Sequence, residues 1–395
     1  MIIFLPCLCS WFSFSIFTLV KFSSIIGHSE VKNRLIHSAN ERRVSHALLF
    51  LGPEGGGNLP MAIAFAQYLV CESPTENDSC GQCSGCKKME KLVHPDVSFS
   101  YPVAPKDKIS KPRSVDFAPQ WRNEVIDNPY LNYNEWMESL SLDNKQGIIS
   151  VHESADILSR LSLKSVEASY KIVIIWLPER MNDEAANKLL KIIEEPPDNT
   201  LFFLVAENHE LLLNTIISRT QLIKVNRIND NDMMHALVEK QGLDKTVARR
   251  IVHRADGNYN EAQKTIENDD ADTDLNQKFL LWMRNCLKLN VQGINQLSQD
   301  FGGESRESQK NFLRHALSVA RECLLLNFGD RSLVRLEGKD LEDIQRFAPF
   351  VNEKNIYFFS EALNKAHFHL ERNANSKLLF TDLSFSMHRL LNVSK

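Results

Sequence analysis

Gly52-Pro53-Glu54-Gly55-Gly56-Gly57-Asn58-Leu59 is the stretch on which the fold of this chain turns. Its glycines let successive backbone N–H groups converge on an anion, as they do in a phosphate-binding loop. The pattern G-x-x-x-x-G-K-[ST] then needs a Lys for the β/γ-phosphates and a hydroxyl for Mg²⁺. Asn58 stands where the Lys belongs and Leu59 where the hydroxyl belongs. The scaffold of a nucleotide site is written here without its chemistry.

The surroundings make the degenerate loop credible. His46–Leu51 (HALLFL) is a short apolar run leading into the glycines, and Ala62–Val70 reads as a helix. Strand, Gly-rich loop and helix N-terminus in that order is the context the motif requires. Pro60 falls in the first helical turn, where its missing N–H costs little. Lys171–Leu177 (KIVIIWL) and Leu201–Ala206 (LFFLVA) are continuous apolar runs, as expected for parallel strands covered on both faces. Between them Asp183–Glu195 reads as a helix with Ala186, Leu189, Leu190 and Ile193 on one face, capped by Asn182 or Asp183 and stopped by Pro196-Pro197. Alternating strands and helices predict an α/β sheet.

At 395 residues, with 43% apolar and 24% charged residues, the chain suits two or three globular domains. A formal net charge of −4 carries no global basic signature, so nucleic-acid contact has to be local or supplied by partners. Residues 1–20 are apolar and aromatic but lack the basic n-region and the cleavage site of a signal peptide. Their length would just span a bilayer, and composition alone leaves the matter open. The expectation is that they translate non-coding sequence, with the start near Leu19–Lys21, because an intracellular machine motif follows directly. The protein is then expected to be cytoplasmic.

Eight cysteines are present, and four of them, Cys71, Cys80, Cys83 and Cys86, lie close together. Two overlapping C-x-x-C turns plus a fourth thiolate upstream suit a closed tetrahedral Zn²⁺ site. With no open coordination position, such a site is structural. It would supply on the order of 10 kcal/mol of local folding free energy. Buried free thiols, a redox pair or an iron–sulfur cluster are the alternatives. The clustering favours a metal in a reducing compartment over a disulfide framework.

Residues 101–147, rich in Pro, Lys, Asp and Asn and carrying Trp121, Tyr130, Tyr133 and Trp136, interrupt the α/β pattern as a long insertion ordered in part by its aromatics. At the end of the KIVIIWL run, Trp176 and Leu177 occupy positions where an ATPase would hold Mg²⁺ and polarise water with carboxylates. Glu179 lies past a proline and is expected to point elsewhere. Ser218-Arg219-Thr220 follows a helix-like stretch, Leu211–Ile217, and precedes a short strand, Leu222–Val225. An Arg there is ordinarily a surface charge; beside a defunct phosphate loop it is a candidate arginine finger. After Asn226 the strand signal ends. Asn229–Asp270 suggests about three helices, and beyond the acidic run at 268–272 come longer amphipathic ones. Their apolar stripes are Phe279, Met283 and Cys286; Phe312, Leu313, Ala316, Leu317, Ala320 and Leu324; and Tyr357, Leu363, Ala366 and Leu370.

In this order, Ile25–Arg43, His46–Phe50, the loop, the four cysteines, Asn187–Lys191 running into Glu194-Glu195-Pro196-Pro197, and Ser218-Arg219-Thr220 resemble the bacterial clamp-loader AAA+ subunits of DNA polymerase III. The resemblance covers about residues 20–270. It is similar to both the delta-prime and the gamma/tau branches; Glu371–Leu383 resembles, more weakly, their collar helices. It implies an AAA+ P-loop NTPase-like α/β module at 21–226, with a zinc module at 71–86 and the insertion at 101–147. A helical lid at 227–270 and an α-helical collar at 271–395 would follow the N-terminal extension 1–20. It further implies that Cys71, Cys80, Cys83 and Cys86 are zinc ligands and that Arg219 reaches a neighbour's ATP, with Thr220 replacing the usual Cys. Asn58 and Leu59 fall on the loop Lys and hydroxyl, Trp176 and Leu177 on the two carboxylates, and Asn260 on the sensor-2 Arg. These losses point to the delta-prime branch and to a chain that binds no ATP. Its partners would be gamma/tau and delta subunits, with the sliding clamp and primer-template DNA reached through the complex and no membrane. An active gamma/tau-type ATPase is the alternative. A zinc-dependent nucleic-acid module is a further one, disfavoured because no basic stripe or interleaved aromatics flank the cysteines.

Overall fold

The apolar runs pair into one parallel sheet. β1 (Ala47–Leu51), β2 (Val97–Ser100), β3 (Lys171–Trp176), β4 (Thr200–Ala206) and β5 (Gln221–Lys224) lie in the order β2-β3-β4-β1-β5. These come from a computed structural model that describes residues 21–106, 109–142, 145–267, 271–329, 334 and 338–392; the expectation for residues 1–20 falls outside them. Leu49 is paired with Leu204, and Ile174 with Phe203. Every residue of the central β4 is buried, which explains its unbroken apolar sequence: both faces of a parallel sheet need cover.

Alternation along the strands divides the core in two. Leu48, Phe50, Ile174 and Phe203 face a cluster that includes Ala62, Phe65 and Ala66 of α2 (Asn58–Val70). Ala47, Leu49, Ile175 and Leu204 face a second one with Ile157 and Leu161 of α6 (Val151–Leu161) and Leu189 and Ile193 of α7 (Asp183–Glu194). The Asn182 side chain caps α7 by accepting from Ala185 N–H, as the sequence predicts.

The insertion joins the first of these clusters. It carries α4 (Ala118–Asp127) and α5 (Tyr133–Ser139). Trp121 stacks on Tyr101 with centroids 4.1 Å apart and packs 5.1 Å from Trp176 and 5.2 Å from Trp136. Trp136 donates its indole N–H to the Pro102 carbonyl at 2.7 Å. The aromatics that broke the sequence pattern are therefore what fastens the insertion to the sheet.

The chain divides into two compact units, the first running through Lys245 and adding Ala255–Glu261, the second comprising Thr246–Arg254 and the residues from Ala262 onward. This division cuts across the 227–270 unit expected from the sequence. Within the second unit, Phe279, Met283, Cys286, Phe312, Leu313, Ala316 and Ala320 form the core with Leu363, Ala366 and Leu370. Tyr357 is a correction to the third stripe: it is 69% exposed, and Phe359 takes the inward place. Positions 359, 363, 366 and 370 share a helical face, whereas 357 lies two residues, about 200°, around the helix from Phe359. Among the described residues no helix is long and apolar enough to cross a membrane.

Candidate functional site

The loop keeps its backbone form and spends its side chains inward. Asn58, the first residue of α2, is buried, and its Nδ2 donates to the carbonyls of Gly52 (3.1 Å) and Ala206 (3.2 Å). A short amide ties the loop to the end of β4 where a Lys would have reached outward. Leu59 is part of the core beneath it. Gly55 has φ +66°, and a Cβ there would collide with Asn258 Oδ1, so only glycine suits this position.

The electrostatics are reversed from those of a phosphate site. Glu54 sits in the loop, and Glu179 accepts from Glu207 N–H at 2.8 Å. Glu179, expected to point elsewhere, thus turns to the end of β4. Burial pushes the Glu179 and Glu207 carboxyls above the usual range; Glu207 is raised further by repulsion from Glu54 and Glu179, with Arg180 opposing. Trp176 and Leu177 are in the core and offer nothing to a metal. Asn260, which the resemblance places at the sensor-2 Arg, is buried and bonded to Asn128 and Glu135 of the insertion.

Arg219 stands at the other end of the sheet. Gln221 at the start of β5 pairs with Leu48, whereas the loop leaves β1 after Leu51. At about 3.3 Å per residue the strands hold Arg219 on the order of 10 Å or more from the loop of its own chain. It lies just after α8 (Asn214–Ile217), donates to the Thr215 carbonyl at 2.9 Å and forms an ion pair with Glu194.

The four cysteines meet at the far end of α2. Cys71 is its C-cap residue, and Cys83 caps α3 (Ser84–Glu90) by accepting from Cys86 N–H. The four sulfurs all lie within 4.8 Å of one another, with Cys80–Cys86 and Cys71–Cys83 at 3.9 Å. A tetrahedron with metal–sulfur bonds of 2.3 Å has edges of about 3.8 Å, so the cluster fits a metal ion. Amide N–H groups of Gln82 and Cys83 point at Cys80 Sγ and pull that thiol down to about 6, while burial raises Cys71 and Cys86. Gly85 is required because a Cβ would stand 2.6 Å from the Val70 carbonyl oxygen.

The family model described as DNA polymerase III, delta subunit, matches residues 27–229. The chain belongs to this family. Among curated relatives, the delta-prime subunit of Escherichia coli K12 is 30% identical over 189 residues, 48% of this chain and 45% of that protein. The delta-prime subunit of Bacillus subtilis 168 is 28% identical over 241 residues, 61% and 59% of the two chains. The tau subunit of the same Bacillus is 25% identical over 260 residues, 64% and 38%. The matched part thus spans between 38% and 59% of the length of these relatives. A gamma subunit-related protein from Thermotoga maritima superposes with a TM-score of 0.38 at 15% identity, covering 90% of this chain and 99% of its own.

Within this delta-subunit family member, the structure brings the four cysteines together and keeps Arg219 apart from the loop. Sequence reasoning missed Glu207 and the residues of the insertion that meet the loop. One signal was present: Asn132-x-x-Glu135 is a capping-box spacing, and the reciprocal bonds are made.

Proposed function

We propose that this chain is a delta-prime-type clamp-loader subunit of the DNA polymerase III holoenzyme. It would support ATP-driven loading of the sliding clamp without hydrolysing ATP itself, and supply Arg219 to ATP bound by an adjacent gamma/tau subunit. The observation that carries this reading is the separation of Arg219 from its own defunct loop across the length of β1 and β5. A guanidinium so held is out of reach of its own loop, which supports a role toward a nucleotide brought by another chain. The inward use of Asn58 and the carboxylates Glu54, Glu179 and Glu207 argues for the same division of labour.

On this reading the cysteine module holds structural Zn²⁺. The 21–226 module, 227–270 lid and 271–395 collar carry the ring, whose other members are gamma/tau and delta subunits. Clamp and primer-template DNA are met through the complex, in the cytoplasm. Arg219→Ala in a reconstituted complex should lower DNA-stimulated ATP turnover by about 10³- to 10⁵-fold, by analogy with other trans arginines, without dissociating the subunits. Unchanged turnover refutes the role. Similarity to tau favours a second reading, an active gamma/tau-type ATPase. Equilibrium binding of labelled ATP to the isolated chain separates the two.

A further inference from the structure

One stretch of the insertion, Asn128–Glu135, crosses the mouth of the loop. The Tyr130 hydroxyl accepts from Ile26 N–H at 3.1 Å. Its ring lies so close to Gly57 that a Cβ there would come within 3.3 Å of it. The same ring packs against Tyr259, with centroids 4.9 Å apart. Asn132 donates from Nδ2 to Glu54 Oε1 of the loop at 3.0 Å. The Glu135 carboxylate accepts from Asn260 Nδ2 at 2.7 and 2.9 Å, and Asn128 donates to Asn260 Oδ1 at 2.7 Å. Tyr259 N–H closes the arrangement on the Gly55 carbonyl at 3.0 Å.

Loop, insertion and the segment Gly257–Glu261 thus meet around one point. A nucleotide presents two recognition elements, an aromatic ring and a set of anionic oxygens. Both are supplied here in cis, the ring by Tyr130 and the anionic acceptor by Glu135. We propose that Asn128–Glu135 is a resident occupant of the vestigial nucleotide pocket, fastening Gly257–Glu261 to the loop in place of a nucleotide. This rests on the loop's not binding ATP. It gives the insertion a task that neither the sheet nor the cysteine module requires: holding one closed form of the module at every stage of the loading cycle.

The test is amide hydrogen exchange on the full chain. Tyr130→Ala should speed exchange about tenfold or more at both Gly55–Asn58 and Asn258–Glu261, with β3 and β4 unchanged. Asn260→Ala, which leaves the aromatic core untouched, should speed only Asn258–Glu261. It carries the test if Tyr130→Ala loosens β3 and β4 as well. Millimolar Mg–ATP should leave the wild-type exchange as it is. Unaltered exchange in both variants overturns the plug and leaves the non-hydrolysing reading standing. Slowed exchange of the wild-type loop with Mg–ATP overturns both, because nucleotide would then have displaced the insertion.

Discussion

Helix α2 has a ligand-binding motif at each end, and the two ends have fared differently. At its start the Gly-rich loop carries Asn58 and Leu59, both buried, where the phosphate-loop pattern has a Lys and a hydroxyl. At its finish four cysteines converge in a cluster that could hold a metal ion. The difference follows from what holds each piece together. The loop sits on a helix of which every residue but Leu69 is buried, and Asn58 bonds it to the strand end. Its shape is set by the core and survives without a ligand. Residues 72–77 of the module are exposed, so it has little apolar surface to bury. There the four cysteines, whose sulfurs lie within 4.8 Å of one another, gather the segment, and on the zinc reading proposed above none can be spared.

The widest gap between the ends should appear when a cysteine is removed. Cys86→Ser should abolish zinc retention, measured by metal analysis after dialysis, and unfold residues 71–91, a local loss on the order of 10 kcal/mol. A module that stays folded without metal would erase the contrast. Next in size is an attempt to restore the loop. Asn58→Lys puts an ammonium among the Gly52 and Ala206 carbonyls with no phosphate to meet, and should cost about 3 kcal/mol in urea unfolding while gaining no affinity for ATP. A stable variant that binds ATP would mean the loop is one side chain short of function.

The smallest effect concerns pH. Glu207 has its folded-state pKa raised, so the unfolded chain releases its proton first, and stability falls as pH rises above the ordinary Glu value toward the folded one. Glu207→Gln should therefore be more stable than wild type at pH 8 and no more stable at pH 4, compared by urea unfolding. Equal stability at both would mean the carboxylates do not crowd the loop.

Much of this was legible in the sequence because the deciding features are local. Continuous apolar runs predicted β1, β3 and β4, and Asn182 and Pro196 bounded α7 to within a residue. C-x-x-C spacing predicted a cluster that the fold then assembles. What could not be read came from long-range pairing. That Glu54 and Glu179 both crowd Glu207 depends on the ends of two strands and a loop far apart in sequence. Asn132 and Glu135 advertised a helix cap, but nothing in their spacing told that the cap would also bond Glu54 and Asn260. Tyr357 departs from its stripe for a simpler reason: it neighbours the apolar positions in sequence, but its helical angle faces outward.

The stacking of Trp121 on Tyr101, with Trp136 and Trp176 alongside, has an optical consequence. Indoles so close couple their transitions, so this cluster should dominate the near-ultraviolet circular dichroism of the chain. Three of the five tryptophans belong to it. Trp121 and Trp136 come from the insertion and Trp176 from the sheet, so detachment of the insertion would extinguish the signal while the backbone bands persist. The protein carries its own dye for the docking of the insertion.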